Sequence, residues 1–357
     1  MKVLMISGDP AVLDSDSPVR KRIEEYRNIL GELDILLCLG GVKNLIMGFF
    51  SGYAMARHKN FDIITAQGPE HWFLAWIFSK IFQIPWQAQI HTDIFSHYFW
   101  EESWKNKLRV LLAKFLLPRA DGIRVVSERI KNSLVASRQS LVAKISVLPI
   151  FIDVKKIQSA KVKVDLHQKY PEYDFIILMA SRLTKEKNIP MALRAMRGLT
   201  QNGTRTNAEK NLLLIVGDGP ELESYKLLVK SYKLENNVIF EFAVDYQTLF
   251  SYYKSADLFL LTSNYEGYGR TVVEAMAAGL SVIMTDVGLA GELLIDDLDG
   301  KVVPIGNEKA LAAAISELAD NPAKREEFKS SGLKLLEKWP AKKEYLEKYK
   351  NFLLNVI

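Results

Sequence analysis

Phe175-Ile176-Ile177-Leu178-Met179-Ala180 is an unbroken apolar run, preceded by Asp174 and followed by the polar stretch Ser181-Arg182-Leu183-Thr184-Lys185-Glu186-Lys187-Asn188. A short apolar run bounded in this way reads as a buried strand, and the amphipathic stretch from Pro190 reads as the helix after it. The alternation continues toward the C-terminus through Leu212 to Val216, a helix from Glu221, Val238 to Phe240, Leu258 to Leu261, a helix from Arg270, and Val282 to Met284. Toward the N-terminus the same pattern has already run once. It goes through Val3 to Ile6, a helix near Pro18 to Leu30, Ile35 to Leu39, Ile63 to Ala66, a helix from Glu70, Trp86 to Ile90, Gly122 to Val126, and Ile145 to Leu148. Strands alternating with helices predict a doubly wound parallel sheet, here twice over, so the fold class is α/β.

The polar segment Lys155 to Tyr173 leads from the first series into the second. The domains expected are residues 1–153, residues 154–338, and a last helix within residues 339–357, near Ala341 to Leu354, that returns to the first domain. A chain of 357 residues has room for two cores. With 48% hydrophobic and 25% charged residues it is not a disordered polymer. Cys38 is the only cysteine and lies in an apolar run, which fits a buried thiol in a reducing compartment. Met1 to Gly8 is too short an apolar stretch for a signal peptide, and no uncharged run reaches the roughly 18 residues of a membrane span. The expected location is therefore the cytoplasm.

The net charge of +5 is unevenly spread: from Lys105 to Lys144 there are ten Lys or Arg against Asp121 and Glu128. Five of the six tryptophans (Trp72, Trp76, Trp86, Trp100, Trp104) lie at or just before this region. Aromatic residues beside basic ones suit an anionic membrane surface, so peripheral association with the inner membrane face is one expectation for Phe95 to Pro118. The other is that Val110-Leu111-Leu112 and Phe115-Leu116-Leu117 form the core face of an ordinary helix.

The strongest chemical signal is Glu266-Gly267-Tyr268-Gly269-Arg270-Thr271-Val272-Val273-Glu274. Its glycines let backbone amides approach a ligand, and the helix start at Arg270 offers unpaired donors to a diphosphate. Glu266 and Glu274 can then border one pocket and accept hydrogen bonds from sugar hydroxyls; the plain alternative is a helix-dipole carboxylate and a solvated one. Arg182 and Lys187 follow a strand end, where ligands of open α/β sheets lie, and two cations there can clamp a diphosphate. His91, in Gln89-Ile90-His91-Thr92-Asp93, follows a strand of the first domain and can orient a sugar or simply bond to backbone. Gly217-Asp218-Gly219-Pro220-Glu221 fails as a dinucleotide fingerprint, because Leu222 stands at the third glycine position and Pro220 interrupts the loop. No His/Cys cluster suggests a metal, and Asp296-Asp297-Leu298-Asp299 before Gly300 reads as an acidic turn.

In this order along the chain, these pieces resemble the retaining GT-B-fold glycosyltransferases of family four, the glycosyl transferases of group 1. Glu266 and Glu274 match the family's two glutamates with seven residues between them, and Arg182 with Lys187 matches its Arg and Lys pair. The resemblance implies two facing Rossmann-like domains with a cleft between them. It implies that Glu266 contacts the transferred sugar, Glu274 the ribose, and Arg182 and Lys187 the diphosphate. Gly267, Tyr268, Gly269 and Arg270 would meet sugar and phosphate through their backbone, Ala243 and Val244 would border the base, and His91 would approach the sugar. Ser127 matches a recurring serine, although a helix N-cap explains it as well. The loop Gly8 to Pro18 has one early glycine where the family often has a pair, and Pro149 is followed by Ile150-Phe151-Ile152-Asp153 instead of the usual asparagine and glycine.

The function so implied is transfer of a hexosyl group, with retention and without a metal, from a UDP- or GDP-sugar to a glycan or lipid-linked acceptor. The donor is a substrate, no cofactor is needed and no nucleic acid is a partner. A sugar nucleotide epimerase on the same fold, or a non-catalytic nucleotide-sugar-binding scaffold, are the rival readings.

Overall fold

The computed structural model describes residues 1–201 and 210–357, which form two compact units: Met1–Phe151 with Pro340–Ile357, and Ile152–Trp339. Each is built on a six-stranded sheet whose neighbouring strands all run parallel.

The first sheet contains β1 (Lys2–Ser7), β2 (Glu32–Leu37), β3 (Ile63–Gln67), β4 (Trp86–Ile90), β5 (Gly122–Val125) and β6 (Ile145–Val147), in the spatial order β2-β1-β3-β4-β5-β6. The second contains β7 (Phe175–Ala180), β8 (Asn211–Val216), β9 (Val238–Glu241), β10 (Leu258–Leu261), β11 (Val282–Thr285) and β12 (Lys301–Val303), in the order β12-β11-β10-β7-β8-β9. Parallel neighbours need crossover connections, and helices supply them except between β11 and β12, which a helix-free segment joins. The central strands β7 and β8 are buried along their whole length, which is why they read as continuous apolar runs and not as alternating ones.

In the second sheet the winding direction reverses between β7 and β10; in the first it reverses between β1 and β3. Loops leaving the carboxyl ends of strands on either side of such a reversal diverge and leave a crevice, where ligands of this architecture bind.

The C-terminal helix Lys342–Leu354 belongs to the first unit, where Tyr345, Tyr349 and Leu353 are buried against Ile23, Tyr26, Leu148 and their neighbours. Four details depart from the sequence pattern. β2 begins at Glu32 and ends at Leu37, because its register with β1 pairs Lys2 with Glu32 and Ser7 with Leu37; Cys38 is buried beyond the strand, and Leu39 is exposed. Helix Val42–His58 was not legible, since Gly48 and Gly52 interrupt its inward face. Lys155 to Tyr173 is not bare linker: it holds helix Leu166–Lys169 and most of Val154–Ser159, anchored by buried Val154, Ile157 and Leu166. Helices Glu308–Asp320 and Pro322–Leu336 complete the second unit.

Candidate active site

The second sheet reverses at β7 and β10, and both predicted loops of the second domain leave from there. Ser181 to Asn188 follows β7; Thr262 to Gly269 follows β10. Three hydrogen bonds knit them together. Asn264 donates its amide to Glu186 O at 2.8 Å, Thr262 Oγ1 donates to Lys187 O at 2.8 Å, and Asn188 Nδ2 donates to Asn264 Oδ1 at 2.8 Å. Asn188 has φ +45°, a left-handed conformation that asparagine tolerates, and it turns the chain from the loop into the next helix.

The stitching brings Lys187 Nζ to 2.5 Å from Glu266 Oε1, with each side chain about 15% exposed. Ser263 Oγ donates to the same carboxylate oxygen at 2.8 Å, and Thr285 Oγ1 donates to Ser263 O at 2.7 Å.

Arg182 is placed differently. Its side chain is 78% exposed and lies 3.4 Å from Glu186 Oε1, while Thr184 Oγ1 donates to that oxygen at 2.7 Å. The structure thus joins Lys187 to Glu266 and leaves the Arg182 guanidinium extended into solvent.

Helix Arg270–Ala277 starts at Gly269, whose φ of +89° suits glycine and whose lack of a side chain leaves the helix start without a side-chain cap, while Val272 N donates to Gly269 O at 2.9 Å. One turn in, Glu274 is buried. Its Oε1 accepts from Arg270 Nε at 2.7 Å and its Oε2 from the Tyr253 hydroxyl at 3.3 Å. Burial raises the Glu274 pKa above the usual carboxylate range, and Arg270 and Tyr253 oppose that rise. Ala243 and Val244 lie in the loop after β9, just before Asp245, whose carboxylate caps helix Tyr246–Ser255.

Glycines that carried no functional reading turn out to hold these loops. A Cβ on Gly217 would lie 1.9 Å from Ser181 O and one on Gly219 2.3 Å from Leu183 O, so the turn after β8 braces the loop that carries Arg182 and Lys187. Gly288 does the same beneath Glu266 to Tyr268: its added Cβ would lie 2.6 Å from Tyr268 O and 3.1 Å from Glu266 Cβ. The spacing Gly217-Asp218-Gly219 right after a strand was the available signal. Its meaning is close backbone approach, not a dinucleotide.

In the first unit His91 leaves the end of β4 and lines a hollow of 310 Å³ with Gln67, Glu70, Trp72, Phe99 and Arg109. Its Nε2 lies 3.4 Å from Gln89 Oε1, which also accepts from Arg124 Nη1 at 3.2 Å. Arg124 is buried, and its remaining donors go to Leu148 O, Pro149 O and the Tyr345 hydroxyl, with no carboxylate partner among the described residues. Tyr349 accepts from Gln89 Nε2 at 3.2 Å, so the C-terminal helix closes this network. Nothing in the sequence linked residues 89 and 349. Ser127 caps helix Glu128–Ser137, accepting from Ile130 N at 3.3 Å.

Loss of solvent around the His91 ring, with the positive charges of Arg124 and Arg22, pushes its pKa down to about 3. His91 is therefore neutral at ordinary pH. An unfolded histidine titrates near about 6.5, so between these values the unfolded chain binds the additional proton, and stability falls as pH falls. In urea unfolding at pH 7 and pH 4, wild type is expected to lose more stability than His91→Gln; an equal loss would show that the imidazole does not titrate as described.

Residues 164–335 match the family model of the glycosyl transferases group 1, and residues 40–150 match that of the glycosyl transferase 4-like domain. The chain belongs to the group 1 glycosyltransferases. It is 28% identical over 76% of its length to the alpha-monoglucosyldiacylglycerol synthase of Streptococcus pneumoniae, of whose length it spans 62%. Among solved structures, it resembles sucrose-phosphate synthase from Thermosynechococcus elongatus with a TM-score of 0.82, at 20% identity and 98% coverage of both chains. Anabaena HepE in complex with UDP-glucose superimposes with a TM-score of 0.76, at 18% identity and 100% coverage of both chains. The fold of this glycosyltransferase is that of the GT-B enzymes. Among the described residues no group of His, Cys, Asp and Glu is arranged to hold a metal ion, and no helix is long and apolar enough to cross a membrane.

Proposed function

We propose that the second unit binds a UDP- or GDP-hexose and that the enzyme transfers the hexosyl group, with retention of configuration and without a metal ion, to a glycan or lipid-linked acceptor of polysaccharide or glycolipid synthesis. The observation that carries this reading is the Lys187–Glu266 pair at 2.5 Å, set at the sheet reversal beside the uncapped start of helix Arg270–Ala277. Glu266 accepts from sugar hydroxyls. Lys187 and the amides at Gly269 and Arg270 face the charge that grows on the departing diphosphate, with Arg182 swinging in from solvent to join them. A leaving phosphate that takes the acceptor proton on the same face needs no protein nucleophile, and His91, being neutral, serves as a hydrogen-bonding group and not as an acid. Glu274 accepts from the ribose hydroxyls, and Ala243 and Val244 border the base.

The UDP-glucose held by Anabaena HepE and the diacylglycerol lipid in the streptococcal relative's name support a nucleotide sugar and a lipid-linked acceptor. The basic, aromatic stretch around residues 95–118 would bring the enzyme peripherally to an anionic inner membrane face, where such an acceptor lies.

Calorimetry with UDP-, GDP- and ADP-sugars tests the donor site. One donor is expected to bind, and Glu274→Ala to weaken it about 10- to 100-fold by removing charge-assisted hydrogen bonds. Product made from that donor should keep its anomeric configuration, read from proton coupling constants. A panel in which no nucleotide sugar binds would leave a scaffold as the reading to pursue.

A further inference from the structure

The chain advances from β2 through β3 and β4 to β5 in one direction, apart from skipping over β1, so right-handed crossovers put helices Val42–His58, Pro69–Phe82 and Trp104–Leu116 on the same face of the first sheet. The middle helix packs against both of the others. Helix Trp104–Leu116 has two faces. Val110, Ala113 and Leu116 are buried, while Trp104, Leu108, Leu111 and Phe115, spaced i, i+4, i+7 and i+11, point outward. Of the residues expected on a core face, Val110, Leu116 and Leu117 are buried, whereas Leu111 and Phe115 are exposed.

Helix Val42–His58 doubles the surface. Its inward side is fixed by two glycines: a Cβ on Gly52 would lie 2.5 Å from the Phe78 ring, and one on Gly48 2.9 Å from Cys38 Sγ. Val42, Ile46, Met47 and Phe50 are thereby left outside. The outward apolar residues of the two helices are each between 43 and 76% exposed. Ring contacts tie each outer helix to the middle one, Phe49 touching both Phe50 and Phe78 on one side and Trp76 touching Phe115 on the other.

The three helices carry seven Lys or Arg against a single acidic residue, Glu70, and Arg109 pairs with that one at 2.6 Å. A two-fold dimer through this face would set like charges opposite each other. An anionic bilayer accepts the apolar stripes at the boundary of headgroups and acyl chains and attracts the lysines around them.

We infer that the outer face of these three helices, with helix Val42–His58 contributing as much as Trp104–Leu116, is the surface by which the enzyme seats on an anionic phospholipid bilayer. The inference rests on the lipid-linked acceptor reading and extends it to a second helix. Phe99, inside the stretch read from sequence, is buried and takes no part.

The test is flotation of the full chain with vesicles of phosphatidylglycerol or of phosphatidylcholine, at about 0.1 M and about 0.5 M salt. Wild type should float with the anionic vesicles at low salt and much less with neutral ones. Ile46→Gln with Phe50→Gln, and separately Leu108→Gln with Leu111→Gln, should each reduce partition about tenfold or more. The proposal is overturned if wild type does not float, or if the Ile46 and Phe50 variant floats as well as wild type. It is equally overturned if sedimentation shows a dimer that both variants dissociate. Donor calorimetry on the same preparations keeps the two readings apart: intact donor binding with no flotation rejects the membrane face alone.

Discussion

Lys187→Met is expected to lower the turnover of the transferase by about 10²- to 10³-fold, the loss seen when a preorganised charge facing a developing anion is removed. It should also destabilise the fold. With Lys187 gone, Glu266 keeps the Ser263 hydroxyl but no cation among the described residues, and a mostly buried carboxylate without its cation costs about 3 kcal/mol or more. In a unit of this size that lowers the melting temperature by roughly 6 to 12 °C. The two effects are separable because they depend on different things. The double variant Lys187→Met, Glu266→Gln removes both charges, so the unpaired carboxylate disappears and most of the stability should return. Under the proposed roles of the two residues activity should not return, because neither the cation proposed to face the diphosphate nor the carboxylate proposed to hold the sugar is restored. If turnover recovers with the melting temperature, the pair is a structural ion pair and the site lies elsewhere.

The sequence made the architecture of both units legible because parallel strands buried on both faces leave apolar runs such as Phe175 to Ala180 that need no partner to be recognised. The helix start at Arg270 was equally plain, since a glycine-flanked loop followed by Val272, Val273 and Met276 has the helical period. What the sequence did not carry was everything set by packing across the fold. Arg124 reads as one of ten basic residues in a charged stretch, yet it is buried on β5 and held by Tyr345 from the far end of the chain. Arg182 and Lys187 read as equivalent cations five residues apart; the loop geometry buries one against Glu266 and leaves the other in solvent. The outward stripe of helix Val42–His58 was hidden for a different reason. Apolar residues all round a helix suggest burial, and only the contacts of Gly48 and Gly52 show which side is inside.

Gly217→Ala is expected to cost more stability than any comparable substitution of an exposed glycine, and to weaken donor binding although residue 217 need not touch the donor. The new Cβ would stand 1.9 Å from Ser181 O, and φ at this position is +150°, a region that L-residues rarely adopt. Neither side can yield cheaply. Ser181 is tied to β8 by the hydrogen bond its amide donates to Val216 O at 3.1 Å, and Gly217 to β9 by the one it donates to Glu241 O at 2.9 Å, so relief requires parting β7 from β8 at their carboxyl ends. That displacement moves the base of the Arg182 to Lys187 loop, and misplacement of about 1 Å is enough to cost 10²-fold in a positioned site. Gly306 supplies the control. Its φ is +74° and an added Cβ would meet nothing within 4 Å, so Gly306→Ala carries backbone strain of about 1 kcal/mol and no collision. The melting temperature should fall by roughly 2 to 4 °C for Gly306→Ala, and by about 10 °C or more for Gly217→Ala. Only the second variant should lose donor affinity by calorimetry. Equal losses from the two would mean that backbone strain alone is at work, and that the turn after β8 does not hold the Arg182 to Lys187 loop in place.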